Sequence, residues 1–156
     1  MSRIAENIII SEEGYRQHPY YCSEQVPTIG YGRVIGKKGD PLPAMTTTKQ
    51  DEIKFVREKI REISFQLQSK FPVAWMKCNE TRQAILISMV YQMGLVGVSA
   101  FQQMWKALEF GNFERASKEM LNSKWAKQTP NRAKRHSDTM LRGDRVQYYL
   151  TQGQIP

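Results

Sequence analysis

The segment EEGYRQHPYYCSEQVPTIGYG, over residues 12–32, contains residue types that suit the cleavage of a glycosidic bond. That reaction needs one carboxylic acid in its protonated form and a second group that activates or replaces water. Glu13 suits the first role, because a carboxylate at a helix C-terminus meets the negative end of the helix dipole, which raises its pKa. Cys22 and Thr28 follow it nine and fifteen residues later. Taken alone, a glutamate beside another glutamate is more typical of an ordinary surface.

Local patterns predict the elements that position these residues. Ser2 is a suitable cap for a first helix, and Gly14 is a suitable terminator just past its end. Strand-like pieces around Tyr20 and over residues 28–31, joined by the turn SEQVP, predict a small β-hairpin. The glycine- and proline-rich residues 36–45 predict a loop or a further short strand.

A long helix is predicted after this loop. Thr47 with Gln50 fits a capping box, and apolar residues then recur every three or four positions until Phe71 and Pro72. A helix of about 20 residues spans about 30 Å, which is enough to join two lobes. Its opposite face alternates charges and is typical of a solvated surface.

The remainder of the chain is predicted to be helical, over residues 80–93, 99–110, 113–121 and 130–141. The predicted fold class is therefore α+β, mainly α. One domain over 1–156 would contain an N-terminal lobe at about 12–60 with a small sheet, and a C-terminal helical lobe at about 72–156 packed with helix 2–12.

Composition narrows the partners and the setting. A net charge of +8 indicates a polyanionic partner or simple solubility, and charge alone does not choose between them. The start of the chain lacks secretion-signal features and no apolar run reaches the length of a membrane span, which predicts a protein made in the cytosol without a stable membrane anchor. Cys22 and Cys78 are expected to be reduced, although oxidative control of one by the other stays open. With two histidines at unrelated spacings, no metal or cofactor is expected.

The spacing around Glu13 resembles the phage-type lysozymes, the T-even phage endolysin group of glycoside hydrolase family 24. Their signature is a Glu-Gly at the end of the first helix, an aspartate nine residues after that glutamate, and a threonine fifteen after it that opens T-I/V-G-x-G. Glu13, Cys22 and Thr28 hold these positions without a gap. The blocks RQAILISMVYQMGLVGVSAF and SKWAKQTPNRAKR are similar to the family's helical lobe, whereas residues 35–75 agree in layout only.

The resemblance implies that the substrate is the β-1,4 bond between N-acetylmuramic acid and N-acetylglucosamine in peptidoglycan, held between the lobes. Glu13 would be the general acid, and Thr28 would hold the attacking water or orient its partner. Arg132 and Arg135 match family arginines that contact the helix-end carboxylates. The family's substrate positions fall on Val34, Tyr91, Met104 and Glu119. Tyr91 suits stacking on a sugar face and suits an ordinary core position equally well.

Two departures from the family pattern bear on mechanism. Arg33 replaces a common histidine, which puts a local ion pair in doubt. Cys22 replaces the aspartate, and a free thiol with a pKa near 8.5 is only a few per cent ionised at neutral pH. As a base, Cys22 needs a lowered pKa or a mildly alkaline medium, whereas as a nucleophile it needs less help. Whether the product retains or inverts its anomeric configuration stays open.

The resemblance further implies a monomeric phage endolysin that accumulates in the host cytoplasm and reaches the wall in the periplasm through a holin. A lytic transglycosylase is an alternative on the same bond, since it keeps the acid and needs no second group. A non-catalytic wall binder is another. A nucleic-acid module is not supported, because the basic region 132–145 comes with no aromatic-rich sheet or base-reading motif.

Overall fold

The computed structural model describes residues 3–152, which form nine helices and one three-stranded antiparallel sheet. The helices are α1 (Arg3–Glu13), α2 (Lys49–Lys70), α3 (Pro72–Lys77), α4 (Glu80–Ser99), α5 (Gln102–Glu109), α6 (Phe113–Leu121), α7 (Lys124–Gln128), α8 (Pro130–Arg142) and α9 (Gln147–Gln152). The strands are β1 (Arg16–Tyr21), β2 (Pro27–Gly30) and β3 (Arg33–Val34). The predicted class, α+β and mainly α, is confirmed. The predicted cap at Ser2 lies outside the described residues.

The sheet is a hairpin with a short third strand in the order β1-β2-β3, so the predicted hairpin is present. Tyr20 pairs with Thr28, and the register shifts between Arg16 and Tyr20. Pro19 lies within that shift and has no N–H to give to the ladder. The turn after β1 is closed by the backbone of Cys22, whose N–H donates to the carbonyl of Val26 at 3.1 Å.

The helix α2 joins the sheet to the helical part of the chain. Its buried face repeats at helical spacing, as predicted, with Ile53, Val56, Ile60, Ile63 and Leu67. The predicted cap is wrong by one residue: Thr48 is the N-cap and accepts from the backbone N–H of Asp51 at 3.1 Å. The Thr47 hydroxyl donates instead to Glu52, 2.6 Å away. Three threonines run in succession here, and only tertiary contacts distinguish their roles.

An ion pair fixes β3 to the first turn of α2. The Arg33 guanidinium donates to both carboxylate oxygens of Glu52, at 2.9 and 3.0 Å. Burial opposes ionisation of Glu52, but the bonds from Arg33 and Thr47 outweigh it and lower the pKa of this carboxyl. Gly30, at φ +67°, lies so close to the Glu52 side chain that a Cβ would not fit. The arginine in the place of the family's histidine therefore does make a local ion pair.

The helical part of the chain is built around α4, whose residues Ala84, Ile85, Leu86 and Met89 are fully buried. Helix α1 packs against α4, α2 and α9. Gly94 breaks the helical geometry at φ +83°, but the helix resumes to residue 99, and α5 begins at Gln102. The predicted start of that helix at residue 99 is therefore wrong.

Helices α3, α7 and α9 were not predicted, because each has only five or six residues and too few turns to show a period. No single helix within residues 3–152 is long and apolar enough to cross a membrane, while α4 and α5 together reach that length and composition across a 97° bend.

Candidate active site

The end of α1 places two adjacent carboxylates in different surroundings. Gly14, at φ +67°, ends the helix and turns the chain into β1. Glu13 then faces Gly32, where an added Cβ would lie 3.4 Å from the Glu13 carboxyl carbon. The second glycine of TIGYG therefore lets the backbone pass close to this carboxyl group.

Glu13 has one charged partner at ion-pair distance, and that partner is loosely placed. The Arg132 Nη1 lies 3.4 Å from Glu13 Oε1, which is long for a charge-assisted hydrogen bond. Burial raises the pKa of Glu13, the Arg132 charge lowers it, and the neighbouring Glu12 raises it further. The net shift is upward, so burial outweighs the arginine. This environment favours the protonated acid that glycosidic cleavage requires.

The side chain of Glu12, one residue earlier, is almost inaccessible, and its carboxylate accepts three hydrogen bonds. Arg135 donates to its two carboxylate oxygens at 3.0 and 2.7 Å, and the Tyr149 hydroxyl donates at 2.6 Å. The structure thus brings each predicted arginine to one carboxylate of the pair, Arg132 to Glu13 and Arg135 to Glu12.

Cys22 is a partly exposed free thiol at the turn between β1 and β2. Burial opposes its ionisation, but hydrogen bonds from the backbone N–H groups of Val26 and Glu24 and from the Thr28 hydroxyl outweigh it and lower the pKa of the thiol. The lowered pKa is the condition that a thiol needs to replace an aspartate as a base. Thr28 is buried, and its hydroxyl, which donates to the Val26 carbonyl at 2.8 Å, lies near the sulfur.

The charges of Glu13 and Cys22 both act on the ring of Tyr20. Burial raises the pKa of Tyr20, and the charges of Glu13 and Cys22 raise it further, so both groups lie within electrostatic reach of this ring. Tyr20 also pairs with Thr28 across the hairpin. Thr28 therefore lies near Cys22 at the β1–β2 turn, while Glu13 lies before the other end of β1.

A cleft of about 470 Å³ lies between the sheet and helices α2 and α4; Gly32, which faces Glu13, is among its lining residues, whereas Glu13, Cys22 and Thr28 are not. Among its lining residues are Gly32, Val34, Phe55, Lys59, Glu62 and Tyr91. The Tyr91 hydroxyl donates to the Tyr31 carbonyl, which fixes the ring against the wall of the cleft. Two of the predicted substrate positions, Val34 and Tyr91, thus share one cleft with the glycine that faces Glu13.

The other two predicted substrate positions lie elsewhere. Met104 and Glu119 line a separate cavity of about 290 Å³ between α5 and α6. Met104 has no accessible surface, so its side chain is part of the core and is not open to a ligand. Glu119 is partly exposed, 3.7 Å from Arg115. Within residues 3–152, no three histidine, cysteine or acidic side chains are grouped so that they could hold a metal ion.

Three residues that contact this site were not predicted. Tyr149 bonds Glu12, His136 lies between Tyr149 and Ser88, and Ser88 bonds Arg132. The available signal was a polar residue at an otherwise apolar position, such as the serine inside ILISMV. That signal gives no partner, because the partners come from helices far apart in sequence.

A small sheet joined by a long helix to a helical bundle, with an acidic pair at the end of the first helix, defines the lysozyme-like class of α+β fold. The family model described as Phage lysozyme matches residues 10–141, and the chain belongs to that family.

Relatives with this similarity come from a virus and from an amoeba. The chain is 29% identical to the pre-baseplate central spike protein Gp5 of Enterobacteria phage T4, over 88% of this chain and 27% of the relative. It is 30% identical to probable T4-type lysozyme 1 of Dictyostelium discoideum, over 69% and 62%, and 29% identical to probable T4-type lysozyme 2, over 80% and 85%. The chain thus spans less than two-thirds of the length of the first two relatives.

Proposed function

We propose that this protein is an N-acetylmuramidase that hydrolyses the β-1,4 bond between N-acetylmuramic acid and N-acetylglucosamine in peptidoglycan. The observation that carries the proposal is the place of Glu13, which is largely buried at the end of α1 with Arg132 no closer than 3.4 Å, so that burial raises its pKa. Family membership and the cleft beside Gly32 support the choice of a glycan substrate. The positive charge of +8 complements an anionic wall polymer.

In the proposed reaction, Glu13 gives its proton to the glycosidic oxygen as the bond from that oxygen to the anomeric carbon breaks. Cys22 acts on the opposite side in one of two ways. Its thiolate attacks the anomeric carbon and forms a thioglycoside, which water then cleaves with Glu13 as base, or it takes a proton from a water that attacks directly. The hydrogen bonds that lower the thiol pKa supply the thiolate for both. Thr28 orients the sulfur.

The acid is tested by replacing it without changing its shape. Glu13→Gln should lose about 10²–10⁴-fold in the rate of clearing of outer-membrane-stripped cells, because general acid catalysis is removed. Glu58→Gln is the matched control, since Glu58 is an exposed glutamate on α2. Wild-type activity in Glu13→Gln would refute the role of Glu13.

The products distinguish hydrolysis from the alternatives. Mass spectrometry of digested peptidoglycan should show muramic acid at the reducing end, whereas a 1,6-anhydro end would identify a lytic transglycosylase. Wall binding without any soluble product would identify a non-catalytic binder. The anomer released first, followed by NMR, would separate the thioglycoside route from direct attack by water.

The thiol is tested by selective alkylation. Cys78 is buried, and burial raises its pKa to about 11, so iodoacetamide should modify Cys22 first. Inactivation should follow the modification of Cys22 and should also occur in Cys78→Ala. Cys22→Asp should remain active with a pH profile extended to lower pH. Full activity after confirmed modification of Cys22 would remove the thiol from the mechanism.

The proposed role is a monomeric endolysin that accumulates in the host cytoplasm and depends on a holin to reach the periplasmic wall. A second role has specific support, because 88% of the chain resembles part of a phage spike protein. Fractionation of infected cells separates the two. An endolysin should be found in the cytoplasm before lysis and be absent from purified virions, whereas a spike component should remain with the virions.

A further inference from the structure

A buried chain of side chains connects the two carboxylates at the end of α1 through the protein interior. From Glu12 it runs to Tyr149 at 2.6 Å, to His136 Nδ1 at 2.7 Å, from His136 Nε2 to Ser88 at 2.8 Å, and from Ser88 to Arg132 Nη2 at 3.3 Å. Ser88, His136 and Tyr149 have no accessible surface. The other side of the Arg132 guanidinium, Nη1, faces Glu13.

The direction of each hydrogen bond follows from the carboxylate end. Glu12 is paired with Arg135 through both of its oxygens, which is the geometry of a carboxylate, so it accepts and Tyr149 donates. The single phenolic proton is then used. The Tyr149 oxygen must therefore accept from His136, which places a proton on Nδ1.

The directions of the remaining two hydrogen bonds, His136 to Ser88 and Ser88 to Arg132, depend on the charge of the His136 imidazole. Burial, and next the charges of Arg132 and Arg135, hold the pKa of His136 well below its usual range, so the ring is neutral. With its proton on Nδ1, the ring has a lone pair on Nε2, which accepts from the Ser88 hydroxyl. The serine oxygen then offers only lone pairs to Arg132, which donates to it.

We infer that His136 is a positioning residue that, by orienting Ser88, holds Arg132 back from Glu13. The guanidinium is shared between Ser88 and Glu13, and its buried Nε has no hydrogen-bond partner among residues 3–152. Arg132 therefore contacts Glu13 through Nη1, in contrast to Arg135, which makes a bidentate contact with Glu12 at 3.0 and 2.7 Å. A closer arginine would favour the ionised acid and weaken proton donation.

The inference rests on the proposed function, because it assigns the chain a part in keeping Glu13 able to give a proton. His136→Phe keeps a ring of similar size and removes both nitrogens, so Ser88 loses its acceptor and Arg132 is released toward Glu13. The high-pH limb of kcat/KM should then move down by about one pH unit, a tenfold loss of kcat/KM on that limb. The acidic side of the profile should change little.

Three further variants separate positioning from a general loss of packing. Ser88→Ala keeps the imidazole but removes the hydroxyl that links His136 to Arg132, and it should shift the limb in the same direction. His136→Gln offers Ser88 an amide oxygen as acceptor and should restore much of the wild-type profile. Thr139→Val is the matched control, since it removes a buried hydroxyl of α8 that bonds only within the helix.

Direct titration of the Glu13 carboxyl carbon by NMR, in protein without substrate, keeps the test independent of activity. Glu12, Tyr20 and Tyr91 also face Glu13, and they are unchanged in all four variants. A lower pKa for Glu13 in His136→Phe and Ser88→Ala, but not in Thr139→Val, is expected. An unchanged titration in these two variants would overturn the inference, even in an active enzyme. Inactivity of the wild type would refute the proposed function alone.

Discussion

Helix α1 ends in two adjacent glutamates, Glu12 and Glu13, whose side chains have different surroundings. The inner side surrounds Glu12 with donors and leaves its side chain 2% exposed. The outer side gives Glu13 a guanidinium at 3.4 Å and leaves its side chain 20% exposed. The inner carboxylate can therefore stabilise the fold, while burial with few donors raises the pKa of Glu13. The difference between the two carboxyl groups comes from the number of hydrogen-bond donors around each.

The largest effect is expected on the inner side. Glu12→Gln leaves Arg135 without its counter-charge next to the core, and loss of one partner of a buried ion pair costs about 3–5 kcal/mol. Urea unfolding followed by circular dichroism should show this loss. A cost below about 1 kcal/mol, the range of exposed pairs, would place Glu12 with ordinary surface glutamates.

Glu13→Gln should change the free energy of unfolding in the opposite direction from Glu12→Gln. Because the folded-state pKa of Glu13 is raised, the fold disfavours its ionised form, and wild-type stability falls as pH rises from the unfolded-state pKa to the folded-state pKa. Glu13→Gln removes this penalty and should stabilise the protein by about 0.5–2 kcal/mol at neutral pH.

The gain from Glu13→Gln should diminish as pH falls below the unfolded-state pKa, since both proteins are then neutral at this position. Thermal unfolding at several pH values measures the difference. Equal stability of the two proteins at all pH values would mean that Glu13 is not strained by its surroundings.

Removing the remaining charged partner should sharpen the contrast. Arg132 lowers the pKa of Glu13, so Arg132→Met should raise it and move the high-pH limb of kcat/KM upward, by up to about tenfold in rate on that limb. This shift is opposite in direction to the one expected for His136→Phe. A downward shift would show that Arg132 acts on Glu13 other than by its charge.

The smallest effect is expected on the solvent face of α8, the helix that also carries Arg132 and Arg135. Lys134 and Asp138 form an exposed pair at 2.8 Å, with the lysine on the N-terminal side, the weaker orientation in a helix. Lys134→Ala should cost about 0.3 kcal/mol or less. A cost comparable to that of Glu12→Gln would show that charge pairing, and not burial, governs these energies.

Sequence reasoning located the parts of the site that are local. Glu13, Cys22 and Thr28 lie in one short segment whose glycine spacing is informative, and their roles stay a prediction. Arg132 and Arg135 were predicted only through the resemblance, because their partners lie more than a hundred residues away. Their separate contacts with the two carboxylates could not be read from spacing.

What sequence reasoning missed depends on contacts between distant helices. His136 and Ser88 are 48 positions apart, and each alone is typical of an ordinary helix. The cap of α2 was displaced by one residue because adjacent threonines have the same propensity, and Glu52 decides between them. Met104 was assigned to the substrate by position, whereas the packing of α5 turns its side chain inward.

The bond from Tyr149 to Glu12 spans 137 positions of the chain and has a consequence for the timing of synthesis. Translation delivers α1 first, but the donor that completes its inner side belongs to α9, the last helix within residues 3–152. In a nascent chain whose α9 is still inside the ribosome, Glu12 lacks the hydrogen bond from Tyr149. The bonding around Glu12 is therefore complete only after almost the whole of the described chain has left the ribosome.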